Sequence, residues 1–199
     1  MVQMDGLILA GGKNSRMKGN YKGNLIYGNE TFIEKIISEL EKITKQIWIS
    51  YGDKMHDLYK DCRIVQDEYL GCGPLSGLHA GMKMCDSEIM LVAACDMPFL
   101  KAELYQYLLQ FLEIQYDGVV PIVEGKMHPL AAIYRTKIVC SLEDALKQKN
   151  YKMQRVCRKL NLKYVDVTDE KEYRRMLTNI NTTEEYKEMV ERIDRGMQR

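Results

Sequence analysis

The stretch EIMLVAACD, residues 88–96, sets seven uncharged, mostly apolar residues between a glutamate and an aspartate. It falls well short of the ~18 apolar residues that a membrane helix needs. It also lacks the polar positions that an amphipathic helix would show. A β-strand covered on both faces fits it best. GLILA (residues 6–10), QIWIS (46–50) and CRIVQ (62–66) read the same way.

Helical patterns separate these runs. In TFIEKIISELEKI, residues 31–43, apolar side chains fall at 32, 33, 36, 37, 40 and 43, and Thr31 with Glu34 has capping-box spacing. Gly73-Pro74 opens a second helix, with proline in its favoured first turn and glycines 77 and 81 on one face. AELYQYLLQFLE (102–113) is a third. Strand and helix in alternation imply a mostly parallel sheet with helices on both sides. The rhythm changes after residue 117. GVVPIVEGKMHPLAAIYR reads as two strands joined by a turn at Glu124-Gly125. Helical stretches at 138–148 and 151–160, a strand at 163–167 and a final helix from about 183, capped by Thr182 and Glu185, complete the chain. The expected fold is a single α/β domain over residues 1–199, of three layers, with an antiparallel C-terminal element.

A net charge of +1 on 199 residues argues against a general nucleic-acid or membrane-surface binder. None of the six cysteines forms a CxxC pair, and the three histidines are scattered, so a structural zinc site is not expected. The chain opens without a charged-then-apolar signal segment, and the cysteines suit packing as free thiols, so a cytoplasmic location is expected.

Chemistry-bearing residues gather at strand ends, where open α/β sheets bind ligands. Leu9, Ala10, Gly11 and Gly12 end the first strand, and Arg16, Lys18 and Lys22 follow. A glycine pair lets backbone N–H groups approach a phosphate, and the cations could neutralise it. The same cations could equally be solvated loop charges. Asp96 ends the most apolar strand, a position that suits Mg²⁺ bound by a carboxylate and phosphate oxygens, or a helix cap. Asp67 ends another strand. His128 precedes Pro-Leu in a strand, where it could satisfy a backbone carbonyl. Asn179 and Asn181 could share a strand face or form a turn before the last helix. Lys152, Arg155, Arg158 and Lys159 make a basic face that could meet a phosphorylated ligand but is most simply solvated.

Taken in order, these pieces resemble the MobA-like molybdenum cofactor guanylyltransferases, sugar-nucleotidyltransferase relatives with a Rossmann-like fold. The LAGG-x-x-x-R-M-x-G-x-x-K loop is matched by Leu9–Gly12, Arg16, Met17, Gly19 and Lys22. Asp67 with GPLSG (73–77), CDMP (95–98), HPL (128–130) and NINTTEE (179–185) supply the remaining motifs. The resemblance covers nearly the whole chain.

It implies that the terminal phosphate of molybdopterin, carrying molybdenum, attacks the α-phosphorus of GTP and releases pyrophosphate. It further implies that Arg16, Lys22 and Asp96 serve catalysis and that Asp96 binds Mg²⁺. Leu9, Ala10, Gly11, Gly12, Lys22, Asp67, Gly73 and Asp96 would hold the nucleotide. His128, Asn179 and Asn181 would face molybdopterin. Residues 1–116 would then be the nucleotide-binding part and 117–199 the molybdopterin-binding part. A monomer is expected, with a cofactor-delivery protein as a further partner. The chain departs from the pattern at Lys18, at Tyr21 and at Ser50, where the family commonly has glycine, an acidic residue and asparagine. CTP as the donor, another MobA-like nucleotidyltransferase acting on a different phosphorylated small molecule, and a non-catalytic nucleotide-binding protein that delivers cofactor are the alternative readings.

Overall fold

The computed structural model describes residues 3–11, 22–51, 59 and 61–197, with backbone alone for Lys22 and for 193–197. The strands are β1 (Met4–Leu9), β2 (Ile26–Tyr27), β3 (Glu30–Thr31), β4 (Gln46–Ser50), β5 (Arg63–Val65), β6 (Ile89–Ala94), β7 (Gly118–Val123), β8 (Lys126–Met127), β9 (Ala131–Arg135) and β10 (Leu162–Asp166). The helices are α1 (Phe32–Leu40), α2 (Pro74–Met84), α3 (Ala102–Leu109), α4 (Val139–Lys147), α5 (Met153–Cys157), α6 (Lys171–Met176) and α7 (Thr183–Met197).

The main sheet runs β10-β7-β9-β6-β1-β4-β5, with β8 paired to β7. Along this path β9 alone runs against its neighbours β6 and β7. The antiparallel element expected near the C-terminus is therefore inserted in the middle of the sheet. The turn at Glu124-Gly125 joins β7 to β8, with both residues at positive φ (50° and 74°). After residues 128–130, β9 continues on the side of β7 that β8 occupies, opposite β10, so the expected hairpin forms with its returning strand interrupted.

One face of the sheet packs its apolar side chains, among them Ile8, Ile49, Leu91 and Ile133, against Ile33 and Ile36 of α1 and Leu104 and Tyr105 of α3. The other buries Leu7, Trp48, Met90 and Tyr134 against Leu75 and Leu78 of α2 and Leu142 of α4. This is the three-layer α/β arrangement. The buried Tyr105 hydroxyl donates to Val92 O (2.7 Å), fixing α3 on the central strand. The Thr31–Glu34 capping box forms in both directions and contributes about 1 kcal/mol to α1.

Several boundaries differ from the sequence expectation. β1 begins at Met4, earlier than residue 6, because the buried carboxylate of Asp5 accepts from Trp48 Nε1 (2.9 Å), Ser87 Oγ (2.7 Å) and Cys85 Sγ (3.2 Å). Three donors make its burial tolerable. α3 ends at Leu109, where i→i−3 bonds from Gln110, Phe111 and Leu112 tighten the chain into a turn. The stretch 151–160 is helical only over 153–157, and Lys159 and Leu160 close it with the same tighter bonds before β10. α6 and the small β2–β3 pair were not anticipated. Cys62, Cys72, Cys85, Cys95, Cys140 and Cys157 are all free thiols. Among the described residues no helix is long and apolar enough to cross a membrane.

Candidate active site

The chain leaves β1, builds β4 and β5 to one side, and returns to place β6 on the other side of β1. That reversal is a topological switch point, and open α/β sheets bind ligands beyond the carboxyl ends of the strands at such points. Leu9 through Gly11 form one lip. Ala10 N donates to Ser50 O (2.7 Å) and Cys95 N donates to Leu9 O (3.2 Å), so the ends of β4, β1 and β6 are tied together. Asp67 lies two residues past β5 and Asp96 two residues past β6. Both are half-buried.

α2 starts at the same edge. Its cap residue Gly73 has φ 71° and ψ −159°, a conformation that residues with a Cβ rarely adopt. Pro74 then sets the first turn. The helix lies close on the sheet because Gly77 and Gly81 face it. A Cβ at Gly77 would overlap Ser50 Oγ, and one at Gly81 would come within 2.7 Å of Leu7. The N-terminal end of α2 is thereby held over β1 and β4. Ser50, 1% exposed, donates to Asp67 Oδ1 at 2.6 Å.

Asp96 belongs to the tight turn Ala94–Met97, closed by Met97 N on Ala94 O (3.2 Å). It does not cap α3, whose N-cap is Lys101. Its Oδ1 accepts from Asn179 Nδ2 (2.9 Å), and its backbone oxygen accepts from Ile180 N (2.8 Å). The segment 179–181 is docked there by Ile180, which is buried with Phe32 and Met189 in a satellite core beside Tyr27, Phe99 and Tyr186. Tyr186 also donates to Ile26 O (3.0 Å). α7 begins with Glu185 N on Thr182 Oγ1 (3.1 Å), while Glu185 Oε2 accepts from Thr182 N (3.1 Å) and Asn181 N (2.6 Å). Capping thus falls to Thr182 and Glu185, and Asn179 is directed to the aspartate.

Beyond the Asp96 turn lies an open cleft of about 690 Å³. Met97, His128, Asn179 and Asn181 line it, together with Lys126 and Lys152. Burial first, and Lys126 second, push the His128 imidazole below its usual range, so it is neutral at neutral pH. Of the basic face at 152–159, Lys152 enters the cleft while Arg155, Arg158 and Lys159 are exposed. Lys126 was not singled out in the sequence, and Lys152 was named only as part of a basic face. The hairpin that carries Lys126 and His128 was legible, but the approach of Lys152 to it depends on the tertiary fold.

The arrangement has a glycine-bearing strand-end edge, an aspartate at its switch point and an adjoining cleft of mixed polar and apolar lining. A family model, the MobA-like NTP transferase domain, matches residues 6–165. The chain belongs to that family. This MobA-like chain is accordingly a nucleotidyltransferase. It is 32% identical over 198 residues to a Clostridium perfringens protein named "probable molybdenum cofactor guanylyltransferase", covering 96% of this chain and 98% of that protein. A Bacillus mycoides protein of the same name is 32% identical, covering 94% and 95% of the two chains. The crystal structure of molybdopterin-guanine dinucleotide biosynthesis protein A from Archaeoglobus fulgidus superposes with a TM-score of 0.81 at 24% identity, covering 96% and 99%, and shows the shared fold. Of the MobA-like loop, Gly12, Arg16, Lys18, Tyr21 and the side chain of Lys22 lie outside the described residues.

Proposed function

We propose that this nucleotidyltransferase transfers GMP from GTP to molybdopterin carrying molybdenum, giving the guanine dinucleotide form of the cofactor and pyrophosphate. The observation that carries the reading is the position of the Asp96 turn, between the Leu9–Gly11 lip and the cleft of His128, Asn179 and Asn181. Donor and acceptor phosphates would meet at that aspartate. The relatives' names support the same reaction.

Residues 1–116 hold the nucleotide. The backbone of Leu9 to Gly12 and the cations Arg16 and Lys22 take the phosphates, Gly73 opens α2 toward them, and Asp67 takes the nucleoside end. Residues 117–199 hold the acceptor in the same domain. Neutral His128 and Asn181 offer hydrogen bonds to a pterin, and Lys126 and Lys152 offer charge to its phosphate. One chain contains both halves, so a monomer suffices.

Asp96 fits Mg²⁺. Among the described residues no group of three or more His, Cys, Asp or Glu forms a protein cage, and Mg²⁺ typically binds one or two carboxylates plus substrate phosphates. When bound, Mg²⁺ supplies charge neutralisation at the reacting phosphates. An acceptor phosphate oxygen forms the new bond to the α-phosphorus, the bond to the bridging oxygen breaks, and pyrophosphate leaves with the electron pair. No side chain acts as a covalent nucleophile. The chain contributes alignment and positive charge.

Pyrophosphate release tests the reading. It should require GTP, a divalent cation and intact molybdenum cofactor together. No release with all three present would sink the proposal.

A further inference from the structure

Two bonds join the Asp96 turn to the segment before α7. Asn179 Nδ2 donates to the carboxylate and Ile180 N donates to the backbone oxygen of the same residue. The contact spans 83 residues of chain and crosses from the nucleotide part to the acceptor part. Asn179 and Met97, the residue after Asp96, both line the acceptor cleft. A side-chain amide donor this close fixes the plane of the carboxylate. An asparagine serving only the acceptor would not need its amide nitrogen on the aspartate.

The geometry points to Asn179 as a positioning residue for Asp96, one that sets the affinity of the site for a divalent cation. The inference rests on reading Asp96 as the cation's carboxylate. Groups hydrogen-bonded to a metal-binding side chain commonly account for 10–100-fold in metal affinity. Asn179 holds Asp96 in this way from the far half of the chain. The end of α7 and the satellite core around Ile180 hold Asn179 in turn. Docking of the C-terminal segment and cation binding thus draw on the same two bonds.

The experiment is Mn²⁺ titration by electron paramagnetic resonance, with the full chain and α,β-methylene GTP and without acceptor. Melting temperatures confirm that each variant is folded. Asn179→Ala should weaken Mn²⁺ binding by about 10–100-fold, and Asp96→Ala should abolish tight binding. Thr182→Ala removes a cap from the same segment without touching Asp96, and should keep the wild-type Mn²⁺ affinity. If Asn179→Ala fails to fold, Asn179→Ser is read in its place, since its side chain is too short to span the bond. Wild-type affinity in the Asn179 variant, with loss in Asp96→Ala, overturns the positioning role and leaves the metal assignment standing. Wild-type affinity in Asp96→Ala overturns both. Equal loss in Thr182→Ala and Asn179→Ala assigns the effect to the segment as a whole and also overturns it.

Discussion

Ser50 donates its hydroxyl to Asp67 across 2.6 Å, joining the carboxyl ends of the neighbouring parallel strands β4 and β5. Asp67 follows the edge strand and Asp96 follows β6, three strand spacings away. At ~4.8 Å per spacing that is roughly 14 Å. The two carboxylates are too far apart to share one cation, and the span suits the length of a nucleoside triphosphate. In the proposed reading Asp67 takes the nucleoside end, with Ser50 fixing its orientation.

Ser50→Ala removes this hydrogen bond from the Asp67 carboxylate. A hydrogen bond to a charged group contributes ~1.5–3 kcal/mol, so GTP affinity should fall by about ten-fold or more in titration calorimetry. Preference for GTP over CTP should narrow with it. Unchanged affinity would mean that Asp67 does not contact the nucleoside.

Gly77→Ala tests how closely α2 lies on the sheet. Alanine is favoured over glycine in a helix by about 1 kcal/mol, but its methyl would overlap Ser50 Oγ and come within 2.9 Å of Leu9. Overpacking of ~1–3 kcal/mol should win, lowering the urea midpoint. At Gly81 the obstacle is the end of the Leu7 side chain. Gly81→Ala should therefore cost less than Gly77→Ala.

Much of this was legible in the sequence, and the losses have physical causes. Period and apolar runs gave β4, β6 and the parallel half, because strands buried on both faces carry their pattern locally. Strand ends followed by Asp67 and Asp96 gave the edge on which a nucleotide site would lie. The hairpin turn announced the pairing of β9 with β7, but its pairing with β6 on the other side had no local signal. For the same reason the cleft that gathers Lys126, His128 and Lys152 was not foreseeable as a unit. The Asn179–Asp96 contact is a tertiary bond between two motifs, and sequence order says nothing of which of their atoms meet.

His79 predicts a pH dependence of stability. It is 1% exposed in α2, its Nδ1 finds no hydrogen-bond partner among the described residues, and it meets the Tyr69 ring edge-on. Burial pushes its pKa below the usual value. The charges of Glu68, Lys83, Glu143 and Lys147 around it act in smaller and opposing senses. Below about pH 6.5 the unfolded chain binds a proton that the folded chain resists, so stability is full above that value and is lost as pH falls. The limit is ~1.4 kcal/mol per pH unit for one such group. Comparing urea midpoints at pH 7 and pH 5.5, His79→Leu should show a smaller acid loss than the wild type. The loss that remains should include His128, which burial shifts in the same direction. Equal losses in both proteins would contradict the assignment.

Lys152 lines the cleft proposed to hold the acceptor. Lys152→Ala should raise the KM for the acceptor several-fold and leave kcat within about two-fold, the mark of binding lost equally from ground and transition states. A fall in kcat with unchanged KM would place Lys152 at the reacting phosphates.

The central claim is the guanylyl transfer itself. Purified protein, Mg²⁺ and intact molybdenum cofactor, supplied with equal GTP and CTP, should yield the guanine dinucleotide as the dominant product by mass spectrometry. Asp96→Ala should yield about 10³-fold less at any Mg²⁺ concentration, as expected when a preorganised charge centre is lost. A cytosine dinucleotide as the main product, or no dinucleotide from cofactor that a known guanylyltransferase converts, would contradict the account.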